Sequence, residues 1–473
     1  MQLQDALGDW STGSGPLYGR LADAIRSAIH RGDLPPGGAL PAERALARRL
    51  AIGRGTVVAA YDVLRAEHLL DSRQGSGTWI RGAPRRPAAE EPPGVLRMAA
   101  LRDATLLIDL ATAALPATDR LREVLAGLPD EETDGILDTP GYLPGGLPAL
   151  RQSLADHLTR RDLPTAPDQI LVTTGEQQAL ALLCEEVLHR GDTAVVEDPT
   201  NPGVLDILRG LPVEIVGVRA VTEDPIDLTR ALERQPVRLV HLMPVLGPLG
   251  RVLDVATGAR LARRLAGAGA LVIEDTGQVG LAFRPAPPPL AAVVDAPNLV
   301  VIGSLSKLHW GGLRLGWIRG SAPLIARLTR AKARADLGTP VLDQIVATRL
   351  LAVEGDVRAA RLVALRESLA HATDILPRVL PGFSWRPPDG GLGLWLRLPA
   401  GTATAFAEVA TRFGVAVVPG AAFSAHGTTD DHLRLVYARP PEVFDEGVRR
   451  LAEAWSHYRR SAEECRTGPA VAI

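Results

Sequence analysis

Lysine is almost absent from this chain of 473 residues. Only Lys307 and Lys332 are lysines, although lysine and arginine together number 52. Arginine therefore supplies nearly all of the positive charge. Because a guanidinium stays protonated whereas a primary amine can lose its proton and react, a lysine kept in such a chain raises the question of a chemical role for its amine.

Cysteines and long apolar runs are also scarce. Cys184 and Cys465 are the only cysteines, and they lie far apart without metal-ligand spacing, so we expect neither a disulfide framework nor a metal site. No run of eighteen apolar residues offers a membrane span, and the start lacks the pattern of a signal peptide, so we expect a cytoplasmic protein. The length predicts two or three domains.

A linker divides the sequence. The stretch "RGAPRRPAAEEPPG" is rich in proline and charge, which predicts a head at 1–80, a linker at 81–104 and a large domain at 105–465. In the large domain, apolar runs such as "QILVTT" alternate with helical patterns, which predicts an α/β fold with a mostly parallel sheet covered on both faces. From about residue 340 the spacing of the runs predicts a smaller α+β subdomain.

The head has the pattern of three helices and a hairpin. Apolar residues recur at helical spacing, and "DSRQGSGTWI" predicts a hairpin that contains two glycines. This order predicts a mostly α winged helix-turn-helix. No acid lies between Glu43 and Asp62, whereas this stretch contains four arginines, which indicates a basic surface: Arg44, Arg48, Arg49 and Arg54.

The head resembles the GntR class of bacterial regulators through "LPAERALARRLAIGRGTVVAAYDVLRAEHLLDSRQGSGTWI". The resemblance implies that Arg44 contacts phosphates of double-stranded DNA and that Arg54 and Thr56, at the start of the third helix, enter the major groove. It also implies that Gly77 of the wing reaches toward the minor groove. Such readers commonly bind as two-fold dimers, so we expect a homodimer on promoter DNA.

Lys307 follows the apolar run "LVVIG", at the carboxyl end of a predicted strand, where open α/β sheets place their ligands. A primary amine there can form a Schiff base with an aldehyde, which suggests pyridoxal phosphate. The cofactor's ring nitrogen needs a carboxylate, which Asp275 offers at the end of "ALVIED". The other predicted ligands are the amides of Gly175 and Glu176, Ser304 and Arg314 for the phosphate, and Arg434 for an effector carboxylate.

Each of these residues also has an ordinary structural interpretation. Asp275 is equally a strand-end carboxylate, Ser304 a turn residue, and Arg314 and Arg434 surface ion-pair partners. Their joint occurrence at successive strand ends, beside a rare lysine, favours the cofactor site.

Residues 105 to about 460 resemble a fold type I aminotransferase domain, with "GSLSKLHWGGLRLGW" as the lysine motif and "TGEQQAL" as the phosphate turn. A GntR head on such a domain is the architecture of the MocR type regulators. The resemblance implies that Lys307 carries pyridoxal phosphate and that Tyr142 lies at the substrate mouth.

Three positions depart from the aminotransferase pattern. Asn201 stands where the family usually stacks an aromatic ring on the cofactor, Gly277 where a tyrosine usually contacts its phenolic oxygen, and Gly247 where an asparagine is usual. We therefore expect fewer contacts to the cofactor, although the anchoring residues remain. This combination favours sensing over turnover.

The sequence therefore predicts a DNA-binding transcriptional regulator that senses an amine, an amino acid or pyridoxal phosphate itself. Two alternatives stay open: a working aminotransferase with a DNA-binding appendage, and a regulator whose large domain no longer binds the cofactor.

Overall fold

The structure is a computed structural model. It describes residues 16–31, 39–50, 52–66, 69–73, 77–80, 107–127 and 135–467, together with the single residues 10 and 34. The chain divides into two compact units, Met1–Glu91 and Pro92–Ile473. The predicted linker at 81–104 lies outside the described residues.

The N-terminal unit is a winged helix-turn-helix, which confirms the prediction. Its elements in chain order are α1 (Leu17–Arg31), β1 (Ala39–Leu40), α2 (Glu43–Leu50), α3 (Arg54–Ala66), β2 (Leu70–Arg73) and β3 (Gly77–Ile80). The strands form an antiparallel sheet in the order β1-β3-β2.

The core of this unit lies between the three helices, because each helix places apolar residues on one face. Its fully buried side chains include Leu21, Ile25, Leu46, Tyr61 and Leu64. The Tyr61 hydroxyl donates to the carbonyl oxygen of Pro41 at 2.9 Å, which ties α3 to the short segment between β1 and α2.

The second unit is built on a seven-stranded sheet in the order β5-β13-β12-β11-β8-β6-β7. Only β13 runs antiparallel to its neighbours, so the predicted, mostly parallel sheet is confirmed. The strands are β5 (Ile170–Thr173), β6 (Thr193–Asp198), β7 (Glu214–Arg219), β8 (Leu239–Leu242), β11 (Leu271–Asp275), β12 (Leu299–Ser304) and β13 (Gly316–Arg319). A short hairpin, β9 (Val245–Leu246) with β10 (Arg251–Val252), follows β8.

Helices cover both faces of this sheet, because its central strands are buried on both sides and are mostly apolar. The helices of this layer are α4 (Asp119–Ala126), α5 (Pro148–Thr159), α6 (Glu176–Val187), α7 (Pro202–Arg209), α8 (Ile226–Arg234), α9 (Val255–Ala266), α10 (Leu290–Val293), α11 (Ala322–Asp336) and α12 (Val341–Ala352).

A smaller α+β subdomain follows, as the sequence predicts. It contains the antiparallel sheet β14-β17-β16, with β14 (Gly393–Arg397), β16 (Val418–Pro419) and β17 (His432–Val436). Its helices are α13 (Glu354–Val379), α14 (Ala403–Arg412) and α15 (Pro441–Thr467).

Two details of this subdomain differ from the expected boundary near residue 340. Helix α12 packs in the core of the large sheet through Ile345 and Leu350. The early strand β4 (Ile108–Asp109) pairs with β15 (Val415–Ala416), and Leu110 and Leu115 pack in the core of the small subdomain. Residues 108–115 therefore belong structurally with the C-terminal part of the chain.

No helix within the described ranges is long and apolar enough to cross a bilayer. Among the same residues, no group of three or more metal-ligating side chains is gathered into a cluster.

Candidate functional site

One cavity in the second unit gathers four of the residues that the sequence assigns to the cofactor or the effector. The carboxyl ends of β5, β12 and β11 lie along the same edge of the sheet, with β13 between β5 and β12, and the chain turns into α6 after β5. The residues lining the cavity include Ala113, Glu176, Asn201, Gly247, Asp275, Lys307, Phe423 and Arg434. The small subdomain contributes the last two.

Lys307 is half-buried, and its Nζ donates to the carbonyl oxygen of Ala113 at 2.9 Å. Burial lowers the pKa of this amine; the Glu176 carboxyl opposes that effect and the charge on Arg434 adds to it. The reactive, neutral form of the amine is therefore favoured relative to a lysine in water.

Asp275 ends β11 and is 1% exposed. Its Oδ1 accepts the Gly277 N–H at 3.0 Å, while its Oδ2 lies 3.7 Å from His241 Nε2 and accepts from no N–H group among the described residues. Burial alone would raise the pKa of this carboxyl, but His241 and the Gly277 N–H hold it below its usual value. The site thus contains a buried carboxylate whose pKa is held low, which fits the ring nitrogen of pyridoxal phosphate.

The predicted phosphate turn lies at the start of α6. Gly175 has φ +81°, and a Cβ there would lie 2.8 Å from Arg314 Nη2, so glycine lets the turn pass against the guanidinium. Arg314 is exposed and its Nη2 donates to the carbonyl oxygen of Thr174 at 3.2 Å. The structure thus brings Gly175, Glu176 and Arg314 together.

Ser304 ends β12, and its Oγ donates to the carbonyl oxygen of Leu315 at 3.1 Å. The hydroxyl of Ser306, two residues further on, is buried without a hydrogen-bond partner among the described residues. Sequence reasoning did not single out Ser306, although its place directly before Lys307 was a usable signal.

Arg434 on β17 is half-buried, and burial lowers its pKa to about 10. Its Nη2 donates to the carbonyl oxygen of Ala111 at 2.6 Å, and its guanidinium lies 4.8 Å from the ring centre of Phe423. The predicted clamp for an effector carboxylate therefore lines the same cavity as Lys307.

The side chain of Glu176 also lines the cavity, which the sequence did not predict, since only its backbone amide was assigned a role. Asn201 Nδ2 donates to Glu176 Oε1 at 2.9 Å. Burial, the charge of Asp275 and a hydrogen bond between the two carboxyls raise the pKa of Glu176 well above its usual value.

Tyr142 lies apart from these residues. It is 68% exposed and does not belong to the lining that the described residues give the cavity. Its predicted place at the mouth of the site is not formed within this single chain.

The residues predicted to bind DNA lie in the N-terminal unit. Arg44 is exposed on α2, and Arg54 begins α3 with Thr56 two residues further on. Arg54 Nη2 lies 3.4 Å from Glu43 Oε2, a solvent-accessible pair that costs little to break. Gly77 begins β3 opposite Arg73, at the tip of the wing hairpin.

Two family models match the chain. Residues 113–451 match the aminotransferase class I and II family, and residues 17–80 match the gntR family of bacterial regulatory proteins. The GntR match indicates DNA binding by the N-terminal unit.

Several relatives share the whole architecture. An uncharacterized helix-turn-helix transcriptional regulator of Bacillus subtilis, YisV, is 28% identical over 93% of this chain and 96% of its own length. The regulator TauR of Rhodobacter capsulatus is 27% identical over 93% of this chain and 97% of its own length.

An enzyme is also among the relatives. The 2-aminoadipate transaminase of Thermus thermophilus is 32% identical over 76% of this chain and 90% of its own length.

Solved structures resemble the second unit. The α-aminoadipate aminotransferase LysN of Thermus thermophilus, complexed with N-(5'-phosphopyridoxyl)-L-leucine, matches with a TM-score of 0.70 and 29% identity, over 80% of this chain and 97% of that structure. A kynurenine aminotransferase of Pyrococcus horikoshii matches with a TM-score of 0.70 and 25% identity, over 80% and 97%.

Proposed function

Because the chain belongs to the aminotransferase class I and II family and carries a GntR-family DNA-binding domain, as the MocR type regulators do, we propose that it regulates transcription in response to a ligand of its second unit. The head binds promoter DNA, and the second unit binds pyridoxal phosphate at Lys307. The observation that carries this proposal is the shared cavity of Lys307, Asp275 and Arg434.

The residues around this cavity match the chemistry of pyridoxal phosphate. Asp275 would accept a hydrogen bond from the protonated ring nitrogen, while the amides at the start of α6, Arg314 and the hydroxyl of Ser304 would bind the phosphate. When bound, the cofactor supplies an aldehyde carbon for the amine of Lys307 and a ring that withdraws electrons. Burial lowers the pKa of Lys307, which keeps a larger fraction of its amine unprotonated.

The effector is an amine or amino acid that enters beside Lys307. Arg434 binds a carboxylate through a bidentate contact, and its position over Phe423 holds the guanidinium plane in place. Lys307 would hold the cofactor in the absence of effector, whereas a bound effector would place its amine beside Lys307 and its carboxylate at Arg434. This difference in contacts is what a ligand-driven switch requires.

The regulator acts as a homodimer. The family resemblance places Tyr142 at the substrate mouth, yet Tyr142 is exposed in the single chain. We therefore expect Tyr142 to complete the cavity of a second copy of the second unit. Two heads then read two half-sites of one operator.

Spectroscopy and DNA binding test this function together. Pyridoxal phosphate added to the purified protein is expected to produce an absorbance band that is absent with Lys307→Arg, and amino acids are expected to shift both that band and the affinity for selected operator DNA. No band, or a band unchanged in Lys307→Arg, rules out the cofactor assignment. If amino acids leave the affinity for DNA unchanged, the protein does not sense amino acids.

A working aminotransferase is the second candidate. The joint presence of Lys307 and Asp275 in one cavity favours it, because proton transfer at the cofactor needs both groups. Repeated conversion of an amino acid to its keto acid, measured over many turnovers, would establish this activity. A single spectral change without accumulating product supports the sensor instead.

A further inference from the structure

The side chain of Glu176 enters the cofactor cavity. Glu176 begins α6, so its backbone amide lies at the predicted phosphate turn, but its carboxyl lies at Asp275, at the end of β11. It lines the same cavity as Lys307. The Glu176 carboxyl therefore lies beside the residue that is predicted to bind the ring nitrogen of the cofactor.

Asn201 holds this carboxyl in place. Its Oδ1 accepts the Gly203 N–H at 2.9 Å and thereby caps α7, which directs its Nδ2 toward Glu176 Oε1, also at 2.9 Å. The amide of Asn201 is thus oriented by its own helix, and Glu176 receives a fixed donor.

Gly277 makes room for the same carboxyl. A Cβ at this position would lie 2.1 Å from Glu176 Oε2, closer than two heavy atoms can approach without a bond. Any larger residue at 277 would force Glu176 out of its observed position. Two of the three positions that depart from the aminotransferase pattern, Asn201 and Gly277, are therefore in contact with Glu176.

The charges around Glu176 favour a protonated carboxyl. Asp275 faces it from β11 with His241 on β8 behind it, while Lys307 and Arg314 bring positive charge from the segment after β12. Two carboxyls in contact cannot both ionise without a large cost, and Asp275 is the one held ionised by His241 and the Gly277 N–H. Of the two, Glu176 is therefore the carboxyl that favours its protonated form, which donates a hydrogen bond to Asp275.

We propose that Glu176 occupies, in the cofactor-free protein, the hydrogen-bond position on Asp275 that the ring nitrogen of pyridoxal phosphate requires, and that its side chain leaves the cavity when the cofactor binds. This inference rests on the proposed binding of pyridoxal phosphate at Lys307. Since binding must break the hydrogen bonds of Glu176 to Asp275 and Asn201, Glu176 weakens the affinity for the cofactor. Occupancy of the site then follows the concentration of free pyridoxal phosphate.

The test measures the equilibrium affinity for pyridoxal phosphate of the full chain by dialysis and absorbance. Glu176→Ala and Glu176→Ser remove the competing carboxyl and are expected to bind the cofactor on the order of tenfold more tightly, or more. Glu176→Gln is expected to stay near the wild type, because its amide can still donate to Asp275 and accept from Asn201. Glu185→Gln, an exposed position on the same helix, is the matched control and leaves the affinity unchanged.

The outcomes separate this inference from the proposed function. If the wild type and both small variants bind pyridoxal phosphate on Lys307 with equal affinity, Glu176 does not compete and the inference is wrong while the function stands. If none of the folded proteins, as judged by thermal unfolding, binds the cofactor, both are overturned. Tighter binding by Glu176→Gln as well would show that the hydrogen bond to Asp275 is not the competing contact.

Discussion

Lys307 Nζ donates to the carbonyl oxygen of Ala113 across 2.9 Å, although 194 positions separate the two residues. Ala113 belongs to the segment that packs with the small subdomain, and the neighbouring carbonyl of Ala111 accepts from Arg434. One short stretch of backbone therefore contacts both the reactive amine and the predicted carboxylate clamp. A ligand that draws Arg434 away from Ala111 also disturbs the position of Lys307.

Asp275→Asn is expected to weaken binding of pyridoxal phosphate roughly ten- to hundredfold, because a hydrogen bond to a charged group contributes about 1.5–3 kcal/mol. The fold should persist, since the Gly277 N–H can still donate to the amide oxygen that replaces Oδ1. Equilibrium titration of absorbance measures the affinity, and thermal unfolding checks the fold. An unchanged affinity would show that Asp275 does not bind the cofactor.

Arg434→Ala is expected to abolish the response to amino acids while leaving the response to amines that lack a carboxylate. The lost bidentate contact should weaken amino-acid binding about ten- to hundredfold. Each amino acid is compared with its decarboxylated amine by spectral titration of the cofactor-loaded protein. Equal weakening for both ligands would assign Arg434 a structural role through its contact with Ala111.

In the head, Arg44→Ala and Arg54→Ala are expected to act differently on DNA. Loss of a phosphate contact at Arg44 lowers affinity for all sequences and reduces the salt slope by about 1, whereas loss of a base contact at Arg54 costs about 1–3 kcal/mol on the selected operator only. Fluorescence anisotropy over a range of salt concentrations measures both. Arg378→Ala, an exposed position on α13, is the control and should change neither.

Glu274 provides a pH-dependent test of the core. It is 4% exposed, its Oε2 accepts the Leu290 N–H at 2.7 Å, and burial raises its pKa to about 8. An unfolded glutamate titrates near about 4.3, so the stability contributed by protonated Glu274 is fully present below that pH and is lost as pH rises through about 8.

Glu274→Gln stays neutral at every pH. The free energy of unfolding of the wild type should therefore fall relative to this variant as pH rises from about 5 to about 8. Urea denaturation followed by far-ultraviolet circular dichroism at each pH measures the difference. Parallel stability curves for the two proteins would contradict the buried, protonated state.

Most of the fold could be predicted from short-range patterns in the sequence. The helical faces of the head and the apolar strands that end at Asp275 and Ser304 are short-range signals, and the structure has these elements where they were expected. The pairing of β4 with β15 was not predictable, because two strands of two residues each leave no periodic pattern. The position of the Glu176 side chain in the cavity could not be predicted either, because it depends on Asn201 and Gly277, which are distant in sequence.

The most direct test of the account is the site at which pyridoxal phosphate attaches. Because the chain has only two lysines, borohydride reduction of the loaded protein followed by peptide mass spectrometry gives an unambiguous answer. We predict one phosphopyridoxyl group on the peptide that contains Lys307 and none on Lys332, whose ammonium is bound by Asp336 and Gln178. Modification of Lys332, or of neither lysine, would contradict the proposed function.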